Sequence, residues 1–429
     1  MWLPLALAGS ASLLAALAFP LSGGASWFAP LADARDNVFG SLQTDGAARD
    51  VTWAFVQAGV AALAAVLLIW GYRNARISIF FIALITADLL AANSWLVQTA
   101  PFERWQSASL AADTIREHAS ERPDPIRVFR AAEEQWLPIQ WRRTSSSNRL
   151  EELLAWNRDT LYPKHNLTEP IALVETLGSA GRYDWQLALA IARENGPKRT
   201  DGRREPPREF LDLLGAEYFI LPPEFSYPGS SPLPYPAADS WAAKHSRVWH
   251  NPHARPIAWI VHETSVLPQL TSRDPHRIAE RTRNVLFSES PDWRRMAVVE
   301  ADDVMPIDTS EAASECRVLE FEPGRLVIEV DSPSNGWLVV SHAFDPAWQA
   351  EAVETDGTTV KVPLYRTNRL LLGAPIPAGR TTLNLTFRPT GNYTAGIVSA
   401  SAWGLWGLVI AAMLLRHARR RREIAGRRS

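Results

Sequence analysis

Cysteine is almost absent from this chain. Cys316 is the only one in 429 residues, so no disulfide can form within it. Lysine is scarce too, at positions 164, 198, 244 and 361, while arginine is abundant. That imbalance reads as GC-rich codon usage, hence a bacterial source, and carries no chemistry. No strong charge of one sign exists: the formal net charge is -2, and nothing points to nucleic acid. The nine histidines show no metal-ligand spacing; the closest pattern, His250 to His253, is better explained by an Asn-Pro turn. There is no Gly-rich phosphate loop, and no Ser/His/Asp set can be argued.

What is present is apolar sequence in long runs. Four stretches approach the ~20 apolar residues needed to cross a bilayer. They fall at about 2–21, 51–72, 77–97 and 394–415. Arg73 and Arg76 sit between the second and third, and Arg416 to Arg428 follow the fourth. Positive flanks mark the cytoplasmic side. The outer side then receives a loop over 23–50 and the large polar region over 98–393. The basic tail, 416–429, reads as a stop-transfer anchor beside anionic lipid. The first span lacks the basic start of a signal peptide; an uncharged Met1-Trp2-Leu3 fits a retained helix better, and cleavage would not alter the remaining topology.

The polar region changes character along its length. Residues 98–225 read as mixed α/β, with helix patterns over 107–121 and 145–162 and short strands such as Ile126 to Arg130. Residues 195–209 are charged and Pro-rich, hence a loop. A linker and mixed region covers 226–315. From Cys316 to about 390, short runs at roughly ten-residue spacing are separated by "EPGR", "SPSNG", "ETDG" and "PAGR", the pattern of a sandwich-like β-module. Leu383, Leu385 and Phe387 alternate with Thr382, Asn384 and Thr386, as a half-buried strand requires. The expected fold is therefore a membrane protein: about four transmembrane helices and a large extracytoplasmic α/β domain ending in that module.

Within the module, "GWLVVSHAFDPAWQAEAVETDG" (336–357) contains a strand, an Asp-Pro break and a second strand closed by Asp356-Gly357. Trp348 reads as a core residue more readily than as a ligand platform. The 18 tryptophans divide between span ends and the outer region, where core packing accounts for most. Asp88 lies inside the third apolar run, where an ionisable group is costly and marks a functional candidate. It could face a lipid phosphate with help from a cation or Arg104, bond Asn93, or serve helix packing.

At these residues the chain resembles the C-terminal end of the bacterial YfhO-like membrane proteins. Asp345-Pro346-Ala347-Trp348 stands where that family has Tyr-Pro-Gly-Trp, and Asp356-Gly357 matches its Asp-Gly. Arg366 to Arg369, Pro377 to Gly379 and a final apolar helix follow in order. Upstream, "FLDLLGAEYFILP", "VWHNPHARPIAWIV" and "ALITADLLAAN" are similar to further family segments, so the likeness runs over about 77–405. It implies a GT-C-related protein of the plasma membrane that moves sugar from a polyprenyl-phosphate donor to an envelope polymer. A carboxylate in an early outer loop would act there as general base or as ligand to a divalent cation. Full members have about a dozen spans, so the resemblance implies a truncated or split gene product, the expected catalytic half being missing or carried by an N-terminal partner polypeptide. In this chain Asp33 and Asp36 of the loop over 23–50 are the catalytic candidates, set against a plain solvated loop. Asp88, Asn93, Arg104 and Trp348 are the substrate-binding candidates. The rival expectation is a non-catalytic, membrane-anchored scaffold.

Overall fold

The structure is a computed structural model describing residues 2–31, 35–70, 77–93, 102–119, 124–131, 136–146, 148–162, 164–169, 171–175, 182–235, 240–288, 292–307, 313–353 and 357–426. It divides into two compact units. The first comprises Met1–Ala119, Val128–Leu173 and Tyr218–His250; the second comprises Ser120–Arg127, Val174–Glu217 and Asn251–Ser429.

The first unit opens with helices Trp2–Leu21, Thr44–Trp70 and Ile77–Asn93. Glycine lets the first two approach closely: a Cβ on Gly59 would lie 2.6 Å from Leu13 Cγ, and one on Gly9 would meet Ala62 Cβ at 3.1 Å. Small residues at a helix crossing are how apolar helices gain contact where no water is available to drive them together. Leu3–Leu21, Thr44–Ile69 and, in the second unit, Thr394–Met413 are long and apolar enough to cross a membrane. The third expected span is described only as the 17-residue helix Ile77–Asn93; its remainder, 94–97, lies outside the described residues. The second helix begins at Thr44 rather than near 51, so Asp45 sits in its first turn, where a carboxylate suits the helix dipole.

Beyond these helices a five-stranded sheet runs in the order Ile171–Leu173, Ile126–Arg130, Tyr218–Leu221, Arg247–His250, Ser231–Pro232. Val128 to Arg130 pair in parallel with Tyr218 to Ile220. The helices expected over 107–121 and 145–162 form as Leu110–His118, capped by Ser109, and Arg149–Asp159. Trp136, Trp141 and Trp156 are buried and meet edge to face with centroids 5.1 and 6.3 Å apart; Trp241 stands 5.8 Å from Trp141. These tryptophans are core.

The second unit is built on two sheets. A six-stranded one is ordered Ala258–Val261, Gly336–Ala343, Leu371–Ile376, Tyr365–Thr367, Met296–Glu300, Glu263–Leu267. A five-stranded one is ordered Glu315–Glu322, Arg325–Ser332, Gly379–Phe387, Trp348–Val353, Thr359–Val362. Leu338, Val340 and Leu372 from the first pack with Ile328, Val330, Leu383 and Leu385 from the second in one apolar core. Three strands of the six-stranded sheet come from the stretch before Cys316. Their apolar runs are short and lie among breakers, so the periodicity that marks 316–390 does not extend to them.

The Asp-Pro step is the crossover between the sheets. Gly336–Ala343 belongs to one and Trp348–Val353 to the other. Asp345 makes the turn: its Oδ1 accepts the Ala347 N–H at 2.8 Å and its carbonyl accepts the Trp348 N–H at 3.0 Å. Arg182 pairs with its other carboxylate oxygen. Trp348 is 8% exposed and packs against His342 and Phe387. The second strand then forms the expected hairpin, with Val353 opposite Thr359.

Candidate functional site

Among the described residues, the loop between the first two helices carries the one sequence-predicted carboxylate that lies in a cleft. After the 3-10 helix Gly24–Leu31, Arg35–Asp36 pairs with Gly40–Ser41 in a minimal hairpin. Asp36 shapes its turn, with Oδ1 accepting the N–H groups of Val38 at 2.7 Å and Phe39 at 2.9 Å. The Phe39 N–H, then that of Val38, hold the Asp36 carboxyl below the usual carboxylate range. It is ionised at neutral pH.

Gly40 seats this hairpin on the 3-10 turn Ile139–Arg142. Its φ is +78°, and a Cβ there would lie 2.4 Å from the Thr144 carbonyl oxygen and 2.7 Å from that of Trp141. Glycine therefore satisfies two demands at once, a left-handed backbone and a close approach. Gln43 adds a side-chain tie, its Nε2 donating to Ser145 Oγ at 3.0 Å.

Between hairpin and turn opens a cleft of about 560 Å³. Asp36, Ser41, Gln43, Ser145 and Ser146 give it polar groups, and Leu31, Phe39 and Leu42 an apolar wall. Beside Ser145 and Ser146, Arg149 is 2% exposed, and its Nε is buried without a partner. It pairs with Glu152, donates to the Thr144 carbonyl at 2.7 Å and stacks on Trp141 at 4.9 Å. Asp36 is thus the charged member of the lining among the described residues.

The other sequence candidates do not gather here. Asp33 lies outside the described residues. Asp88 accepts from Gln57 Nε2 at 3.0 Å, a polar clasp between the second and third helices. Gln57 is 14 positions beyond Gln43, about 20 Å along a helix, so Asp88 does not share the cleft. Asn93 is exposed and donates to the Leu89 carbonyl of its own helix at 2.7 Å. Arg104 falls on the short helix Phe102–Gln106, but its side chain is outside what is described. Trp348 is core in the second unit. Gly40, Gln43 and Ser145 were invisible as site residues: their roles depend on a contact across 102 positions. The one sequence signal was an Asp followed three and four positions later by Phe39-Gly40, the beginning of a tight turn.

A second polar cluster, in the second unit, is also missed by sequence reasoning. Arg369 and Glu300 are both buried, with Nη1 and Oε1 3.5 Å apart. Arg369 reaches Asp184 at 3.2 Å and Thr282 at 3.2 Å, and Arg366 reaches Asp184 at 2.7 Å. Burial pushes the Glu300 carboxyl up and the Arg369 guanidinium down. The cluster ties the helices Tyr183–Asn195 and Pro275–Arg283 to the six-stranded sheet, with Arg281 as a further cation acting on Glu300 and Arg369. Asn368 supports it from left-handed backbone, φ 46°, exchanging hydrogen bonds with the Val298 backbone at 2.7 and 2.8 Å.

Among the described residues no group of three or more His, Cys, Asp or Glu could hold a metal ion. One carboxylate with neutral oxygens does not make a resident cation cage, so the cleft does not fit the divalent cation that the family resemblance implies. Cys316 is half-buried, and burial pushes its thiol up to about 12, so it is no nucleophile. Comparison with family models, with curated proteins and with solved structures finds no match to this chain.

Proposed function

We propose that this chain is the outer-domain part of a YfhO-like, GT-C-related system that transfers sugar from a polyprenyl-phosphate donor to an envelope polymer. It sits in the plasma membrane with both compact units' polar parts outside the cytoplasm, and it works with an N-terminal partner polypeptide that carries the catalytic loop. The observation that carries this reading is the cleft at the loop joining two helices long enough to cross a membrane. There a membrane-held molecule can present its polar end to a folded domain. Asp36 supports a binding role over a catalytic one. A carboxyl held below its ordinary range is a weak base, because efficient proton abstraction needs a pKa near the working pH. What Asp36 does supply is a fixed negative charge.

The alternative is a non-catalytic scaffold. It is favoured by the engagement of the stretch that carries the family likeness: Asp345 is tied to Arg182 and to its own turn, and Trp348 is packed. Two measurements separate the readings. Protease added to intact spheroplasts should trim the polar middle of the chain; full protection ends both. Sugar transfer should then be restored in cells lacking the chain only when it and the partner are both supplied. Unchanged transfer in its absence leaves the scaffold.

A further inference from the structure

The Asp36 cleft carries one fixed charge among its described residues. Asp36 Oδ1 accepts from Val38 and Phe39, and the Asn37 N–H also acts on the carboxylate, while no hydrogen bond to Oδ2 is formed among the described side chains. Gln43 spends an amide N–H on Ser145, leaving its carbonyl oxygen without one. Ser146 already donates to Glu152 Oε1 at 2.8 Å. The buried Arg149 gives Nη1 to Glu152, which offsets its charge, and Nη2 to the Thr144 carbonyl, while its Nε has no partner. The hydroxyls of Ser41 and Ser145 and the second Gln43 N–H remain as neutral donors, so what sets the lining apart is charge: among its described residues Asp36 is the one ionised side chain. A phosphate would set its negative charge against that of Asp36, which disfavours it. A primary ammonium brings positive charge and three donors with no acceptor.

The geometry points to this cleft as a site for the primary ammonium of a zwitterionic, ethanolamine-type lipid headgroup. Asp36 Oδ2 and the Gln43 carbonyl would accept from the ammonium, and Leu31, Phe39 and Leu42 would cover the adjacent methylenes. The lipid source rests on the membrane reading above: the loop joins two helices long enough to span a bilayer, and their ends lie at headgroup depth. The anionic polyprenyl-phosphate donor would be bound elsewhere.

The test uses the full chain, purified in detergent, stripped of lipid and titrated in native mass spectrometry. The probes are dioleoyl phosphatidylethanolamine, phosphatidylcholine, which lacks ammonium N–H groups, and phosphatidylglycerol. Wild-type protein should retain phosphatidylethanolamine about fivefold better than either, the upper end for an exposed ion pair. Asp36→Asn keeps a side-chain carbonyl for the Val38 and Phe39 N–H groups, so its turn survives, and the preference should fall to near unity. Gln43→Leu should lower it partway. Equal retention of all three lipids, or a preference that survives Asp36→Asn, overturns the site. Free ethanolamine binding as tightly as the lipid overturns the lipid source. A chain released from membranes by alkaline carbonate refutes the membrane reading itself; one that stays embedded without a lipid preference refutes only the ammonium site.

Discussion

Two stretches of similar length behave in opposite ways. Residues 336–357 are the most recognisable part of the sequence, and the groups at their Asp-Pro break are matched: Asp345 meets Arg182, the turn is hydrogen bonded, and Trp348 is buried between His342 and Phe387. Residues 24–43 carry little pattern, yet Asp36 keeps an oxygen open to a cleft and Trp27, Leu31 and Phe39 stay exposed. A core constrains residue type, spacing and turn chemistry together, and so writes itself into the sequence. A site at a loop needs only a few groups brought from afar.

The sharpest way to break this comparison is Trp348→Ala. If the residue is wall, truncation should cost about 3–5 kcal/mol, as for other buried tryptophans. Urea unfolding of the full chain in detergent would measure it, with Trp348→Phe losing distinctly less. A near-neutral Trp348→Ala, paired with altered sugar binding, would turn the wall back into a platform.

The buried ion cluster comes next. Removing one member strands its partner, so Arg369→Met should cost about 3 kcal/mol, while Glu300→Gln combined with it should cost less than the two single changes summed. Additive losses would show that Glu300 and Arg369 do not act as a pair despite their 3.5 Å approach.

How far these features could be read beforehand differs between them. The apolar helices and the last β-strands were legible because burial repeats at fixed periods: Leu383 and Leu385 are both 1% exposed, as their alternation required. The strands Ala258–Val261 and Met296–Glu300 were not, since a four- or five-residue apolar run has no period to display. Asp36 was legible as a loop carboxylate but not as a cleft residue, because Ser145 and Thr144 reach it only after the chain has folded. The Arg369–Glu300 pair shows the same limit: two charges nearly seventy positions apart give no local sign that they will share a buried site.

A pH measurement examines the domain on which the loop is seated. His165 is buried against Trp105, ring centroids 4.0 Å apart. Burial, then the charges of Arg158 and Arg130, lower its pKa from 6.5 to about 4. A folded-state pKa below the unfolded value means the folded form favours neutral imidazole. Its contribution is complete above about pH 6.5 and is lost as pH falls toward 4. Wild type should therefore lose about 2–3 kcal/mol more than His165→Gln across that window, read by urea unfolding at successive pH values. Parallel curves would mean that His165 ionises freely in the folded protein.

Gly40→Ala is the smallest of these effects and bears most directly on the loop. The added methyl meets the Thr144 carbonyl and must also accept φ of +78°, so the hairpin has to lift from its seat. Strain of this kind costs about 1–2 kcal/mol locally and leaves remote cores untouched. Hydrogen exchange should accordingly speed up at Val38 and Phe39, whose N–H groups Asp36 holds, while amides of the sandwich stay protected. Uniform acceleration would make the loop part of the global fold, removing its contrast with the sandwich. Acceleration confined to the loop, with loss of the Gln43–Ser145 tie, would show that the cleft exists because one residue lacks a side chain.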